Sequence, residues 1–167
     1  MANLRDYIRK IPKNSSLEKA IYYLENNRFD EARNLLEKLL FEKDDTVKSF
    51  VNYSLGITYI KKLNKGDYDV DKSIDYFEKS NSFLDNADAH LMVGYALQIK
   101  IANITKENNK DNYKNIIELA DKSILEFGKA SELNIGYKQY SKEAIGNLKR
   151  LKKTLDNMIQ KRIVESN

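Results

Sequence analysis

Residues 47–60 read V-K-S-F-V-N-Y-S-L-G-I-T-Y-I, and residues 71–85 read D-K-S-I-D-Y-F-E-K-S-N-S-F-L-D. In and just after the first string, Phe50, Val51, Leu55, Ile57, Tyr59, Ile60 and Leu63 recur at helical spacing. Gly56 sits in the middle of that pattern. A glycine inside a helix costs about 1 kcal/mol relative to alanine, so the position calls for a physical reason. A second helix in close approach supplies one, because helix axes come within about 8–10 Å only where the facing side chains are small. The second string offers Ile74, Phe77 and Phe83, with the small Ser73 and Ser80 beside them. The two strings are expected to form one helical hairpin, Val47 to Asp85, around which the rest of the chain is arranged.

Leu55-Gly56-x-x-Tyr59, followed by Ser73-Ile74-x-x-Phe77-x-Lys79-Ser80, resembles a tetratricopeptide repeat. That family is built from helix-turn-helix units of about 34 residues. The pattern recurs upstream, where Ala20 and Tyr23 precede Asn27-Arg28-Phe29-Asp30-Glu31-Ala32, Leu35 and Leu36. It recurs downstream as Val93-Gly94-x-x-Leu97, with Ser123-Ile124-x-x-Phe127-x-Lys129-Ala130 as its second half. The chain departs from the family where the early aromatic is Asn52 or His90 and where the closing proline is missing. Extra residues also stand between Lys62 and Val70, and between Leu97 and Ser123. The resemblance implies an all-α fold, a right-handed α-solenoid of three helical hairpins.

Composition bounds the function. The 167 residues suit a single domain, 1–167, with a sizeable core. One proline, Pro12, leaves long helices possible after it. The absence of cysteine excludes disulfides, thiol catalysis and thiolate metal sites. No apolar run approaches the ~20 residues of a membrane span. The opening residues lack the apolar core of a secretory signal, so a cytoplasmic protein is expected. No His, Asp and Glu cluster has metal-ligand spacing. Lys65-Gly66-Asp67 is a lone turn and not a phosphate loop. His90, the single histidine, replaces an aromatic by register and is expected to be a packed or rim imidazole. No catalytic residue, metal or cofactor is expected, and the protein is not expected to be an enzyme.

In chain order, residues 1–13 carry an amphipathic stripe of Leu4, Tyr7, Ile8 and Ile11. Residues 15–44 form the first hairpin, with Ser15 or Ser16 as N-cap and a turn at Asn26-Asn27-Arg28. Residues 46–85 form the second, capped from Asp44-Asp45-Thr46, and residues 87–134 the third, capped by Asp85-Asn86. The third is longer by about two turns in each helix and is expected to project as a ridge. Residues 137–163 form a closing helix. Its seam of Ala144, Leu148, Leu151, Leu155 and Met158 either covers the last hairpin or pairs with a second copy. Much of the net charge of +4 lies there, on Lys149, Arg150, Lys152, Lys153 and their neighbours.

In the tetratricopeptide family the first helices of the units line a concave face. Carried onto this chain, that face would hold Leu17, Ile21 and Leu24, then Phe50, Tyr53, Ile57 and Ile60, then Leu91, Tyr95 and Gln98. The family's carboxylate clamp is missing, since its positions are Leu17, Ile21, Ser54, Asp88 and Met92. The expected partner is instead an apolar protein or peptide segment, such as an amphipathic helix. Two alternatives stand beside it. One is a self-associating scaffold, a homodimer formed through the closing helix or the third hairpin. The other is RNA or an anionic surface held by the basic closing helix. The groove could also be filled by residues 1–13 or by the closing helix, and Tyr59 is expected in the core.

Overall fold

The computed structural model describes residues 15–60, 69–107 and 109–165, which form α-helices and turns without a strand. The helices are α1 (Ser15–Glu25), α2 (Phe29–Lys38), α3 (Asp45–Ile60), α4 (Val70–Phe83), α5 (Ala87–Lys106), α6 (Tyr113–Leu133) and α7 (Lys138–Glu165). The amphipathic stripe in 1–13, Leu63 and the Lys65-Gly66-Asp67 turn lie outside the described residues.

Polar side chains set where the helices begin. Asp44 Oδ1 accepts from the backbone N–H groups of Thr46 and Val47 at 2.8 and 3.0 Å, as a cap of α3. Asn86 Oδ1 accepts from Asp88 N–H at 2.8 Å at the start of α5. Asn134 Oδ1 accepts from Gly136 N–H at 2.9 Å, opening the short 3-10 turn Ile135–Tyr137 that leads into α7. Asp69 caps α4 by accepting from Lys72 N–H at 3.0 Å. Between α1 and α2 the chain reverses through Asn27, whose φ of 57° is left-handed, a region asparagine tolerates better than most residues. In α2, Asp30 and Glu31 sit in the first turn and Lys38 in the last, which complements the helix dipole at both ends.

Each helix packs chiefly on its neighbours in the chain. The α3–α4 and α5–α6 pairs close in the same way. A Cβ built on Gly56 would lie 2.6 Å from the Phe77 ring, and one on Gly94 would lie 3.0 Å from Phe127. The Ser73 hydroxyl donates to the Gly56 carbonyl at 3.2 Å, and Ser123 donates to Gly94 at 2.9 Å. In α3–α4 the Ser80 hydroxyl also donates to the Ser49 carbonyl at 2.8 Å. The small residues therefore admit both an aromatic ring and a cross-helix hydrogen bond. In the α1–α2 pair, Ala20, Ala32 and Leu36 are fully buried.

The core is a succession of clusters along the chain. Leu17, Ile21, Leu24, Leu36, Phe50 and Leu55 share the first, across α1, α2 and α3. Ile60, Ile74, Phe77, Val93 and Leu97 share the second, across α3, α4 and α5. Ile101, Ile116, Phe127, Ala144, Leu148 and Leu155 share the third, across α5, α6 and α7. The α7 seam is thus largely spent on its own chain: it covers the last hairpin. With 21 residues, α6 exceeds the 14 of α4 by about 10 Å of helix.

Candidate functional site

The ten residues expected to line a binding face divide into two groups. Leu17, Ile21, Leu24, Phe50 and Ile60 are core residues, with Phe50 only 1% exposed. The first four fill the space between α1, α2 and α3, so their apolar stripe is satisfied within the fold and offers no contact surface. Tyr53, Ile57, Leu91 and Gln98 are half-buried. Tyr53 and Ile57 sit one turn apart on α3, and Leu91, Tyr95 and Gln98 follow one face of α5. Tyr95 is 39% exposed, the most open of the ten.

Tyr140, in the first turn of α7, lies near Tyr95 and is 47% exposed. Its ring meets Phe127 edge-on, with centroids 5.9 Å apart. Partial burial raises the Tyr140 hydroxyl above its ordinary pKa, and the nearby Tyr95 and Glu143 add to the rise. A hydroxyl so placed stays a neutral donor at physiological pH. Beneath them the packing is close: Phe127 is fully buried against Gly94, and Tyr53 packs on Phe77 with centroids 5.6 Å apart. The arrangement presents two phenol groups on a packed apolar floor, suited to an apolar segment whose backbone or polar groups meet the hydroxyls. Tyr140 was not among the residues singled out by the sequence pattern, because it precedes the apolar seam of its helix.

The basic residues of α7 also separate. Lys149, Arg150 and Lys153 are exposed, whereas Lys152 is drawn back into an ion pair with Asp121 of α6. Arg150 donates to Asn147 Oδ1 at 2.5 Å.

On the side formed by α2, α3 and α4, a second group of aromatic and charged residues is closed on itself. The Arg33 guanidinium lies 4.1 Å from the centroid of Tyr59, which stacks on Tyr76 at 5.5 Å and 13°. Arg33 also donates to the Thr58 carbonyl at 3.1 Å. Tyr59 is therefore a half-buried joint between hairpins and not a core residue. Burial raises the Tyr76 hydroxyl above its ordinary pKa, with Tyr59 and Glu37 adding to it against the opposing Lys72 and Arg33.

His90 is buried, and both its ring nitrogens meet carboxylates, Glu126 at 2.5 Å and Asp85 at 2.6 Å. It is packed, and hydrogen-bonded between two carboxylates. The two carboxylates lie on opposite edges of the ring, and no cluster of three or more His, Cys, Asp or Glu able to hold a metal occurs among the described residues. No helix among the described residues is long and apolar enough to cross a membrane. No protein-family model matches the chain, and no curated protein matches it.

Proposed function

We propose that the chain is a non-catalytic protein-binding module of tetratricopeptide type, an adaptor or chaperone-like protein of the cytoplasm. In this reading the hairpins α1–α2, α3–α4 and α5–α6 coil as a right-handed solenoid closed by α7. The partner is an apolar peptide segment or amphipathic helix lying across Tyr53, Ile57, Leu91, Tyr95 and Gln98, with Tyr140 at its end. The repeated Gly–Ser–Phe contact in two successive hairpins supports the repeat architecture. The observation that carries the function is the exposure of Tyr95 and Tyr140 together over a packed floor. Tyrosine supplies large contact area with little conformational entropy to lose, which is why it is favoured at binding hot spots. The self-associating alternative draws less support, since Ala144, Leu148 and Leu155 are already buried against the chain's own helices.

A displayed library of helix-forming peptides tests this reading. Selection on the wild-type protein is expected to yield sequences with apolar residues at helical spacing. Their binding should fall at least tenfold on Tyr95→Glu or Tyr140→Glu, a loss of about 1.4 kcal/mol. Circular dichroism checks that both variants remain folded. Peptides that bind the folded Tyr95→Glu, Tyr140→Glu double variant as tightly as wild type would remove this face from consideration.

A further inference from the structure

His90 is the single histidine of the chain and is 5% exposed. Three elements meet its ring. Asp85 Oδ1, at the corner between α4 and α5, lies 2.6 Å from Nε2. Glu126 Oε2, on α6, lies 2.5 Å from Nδ1. The side-chain amide nitrogen of Asn81, on α4, lies 3.2 Å from the same Nδ1. Asn81 is oriented by Asn86, whose backbone N–H donates to Asn81 Oδ1 at 3.3 Å. That bond turns the amide nitrogen towards the ring.

Nδ1 thus faces two partners with opposite requirements. A carboxylate needs a proton on the nitrogen, and an amide N–H needs a lone pair there. One ring atom cannot serve both at once. We propose that His90 is a proton-operated latch between α5 and α6. The charged ring donates from Nδ1 to Glu126 and from Nε2 to Asp85. When Nδ1 gives its proton to water, the ring keeps the proton on Nε2 for Asp85. It then accepts at Nδ1 from Asn81 and releases Glu126. The site provides a hydrogen-bond partner at each nitrogen in either state, which is what a two-state device requires.

The other charged groups nearby are held elsewhere. Glu126 Oε1 pairs with Lys129 at 3.1 Å, so the released carboxylate keeps a counter-ion. Asp88, on α5, accepts from the Tyr137 hydroxyl. Glu78 of α4 pairs with Lys122 of α6 at 2.6 Å. None of these three pairs uses the His90 ring, and all persist in both states.

The latch acts on the α5–α6 seam. Glu126 adjoins Phe127, whose ring fills the notch at Gly94, one turn along α5 from His90. Letting go of Glu126 loosens the contact behind Tyr95 and Tyr140. The proposal concerns the seam itself and stands whether or not the tyrosine face binds a partner. At the corresponding place in the preceding hairpin, Asn52 donates to the Lys48 carbonyl at 2.8 Å and contains no titrating group. His90→Asn therefore puts a side chain there that the fold already accommodates at the equivalent position.

With a single histidine, imidazole 15N NMR of the full chain reports this ring without assignment ambiguity. As the pH is raised the ring is expected to pass from two N–H groups to the Nε2–H tautomer. Amide protection factors from Phe127 to Ala130 should fall roughly tenfold in step with that change. In His90→Asn they should show no such step. In Asn81→Ala, which removes the acceptor state's partner, the ring transition should move to more alkaline pH. A neutral ring carrying its proton on Nδ1, or α6 protection that does not follow the ring, would overturn the latch.

Discussion

The Ser123 hydroxyl donates to the carbonyl oxygen of Gly94, 29 residues earlier in the chain, at 2.9 Å. Ser73 and Gly56 form the same bond in the preceding hairpin, and in both cases a phenylalanine four residues after the serine covers the glycine. The missing side chain at the glycine lets the neighbouring helix approach its carbonyl closely. The phenylalanine then fills the rest of the notch.

Gly56→Ala is expected to destabilise the protein by about 1–3 kcal/mol, because the added carbon lands 2.6 Å from a fully buried Phe77 ring. The better helix propensity of alanine, about 1 kcal/mol, offsets only part of this. Gly94→Ala should be milder, since the first contact there is 3.0 Å. Gly128→Ala should stabilise by about 0.5–1 kcal/mol, as nothing lies within 4 Å of the new carbon. Urea denaturation of the three variants checks the order, and a Gly56→Ala protein as stable as wild type would contradict the close approach.

The Ser141 hydroxyl is buried with no hydrogen-bond partner. Ser141→Ala removes that unsatisfied group and is expected to stabilise by about 1 kcal/mol. Ser123→Ala removes a satisfied hydroxyl and should destabilise by a similar amount. Thermal melts that move both variants in the same direction would count against this distinction.

Asp69→Ala removes the α4 cap and is expected to lower stability by about 0.5–2 kcal/mol. The Lys72 backbone N–H, the largest cause, holds the Asp69 carboxyl below its ordinary pKa. A carboxyl depressed on folding stabilises fully above its unfolded value, about 3.9, and loses that contribution as pH falls through the lower folded value. The gap between wild type and Asp69→Ala should therefore shrink on acidification. Asp69→Asn should keep much of the cap without the pH dependence. Denaturation midpoints at neutral and acidic pH measure both effects.

Arg33→Lys should not behave as a conservative change. The guanidinium lies over the Tyr59 ring at 4.1 Å while donating to the Thr58 carbonyl and hydroxyl oxygens at 3.1 and 3.3 Å. Lysine keeps the charge and loses the planar fork, so a loss of about 1 kcal/mol is expected. Equal stability of Arg33→Lys and wild type in urea would assign the joint to charge alone.

The hairpins were legible because their signal is local: a glycine inside one helix, with a serine and a phenylalanine four apart in the next. Burial between hairpins was less legible. Helical spacing identifies the apolar side of α1 and α3, but not whether another helix covers it, and Leu17, Ile21, Leu24 and Phe50 are covered. The same spacing places Tyr59 in the core. It instead meets Arg33 and Tyr76, contacts set by how neighbouring hairpins dock. Tyr140 joins Tyr95 only because α7 folds back over α6, and the His90 group depends on Glu126, 36 residues away.

Because each helix leans mainly on the next one along the chain, few contacts wait for distant segments to find each other. Chains built mainly from such near-neighbour packing fold quickly.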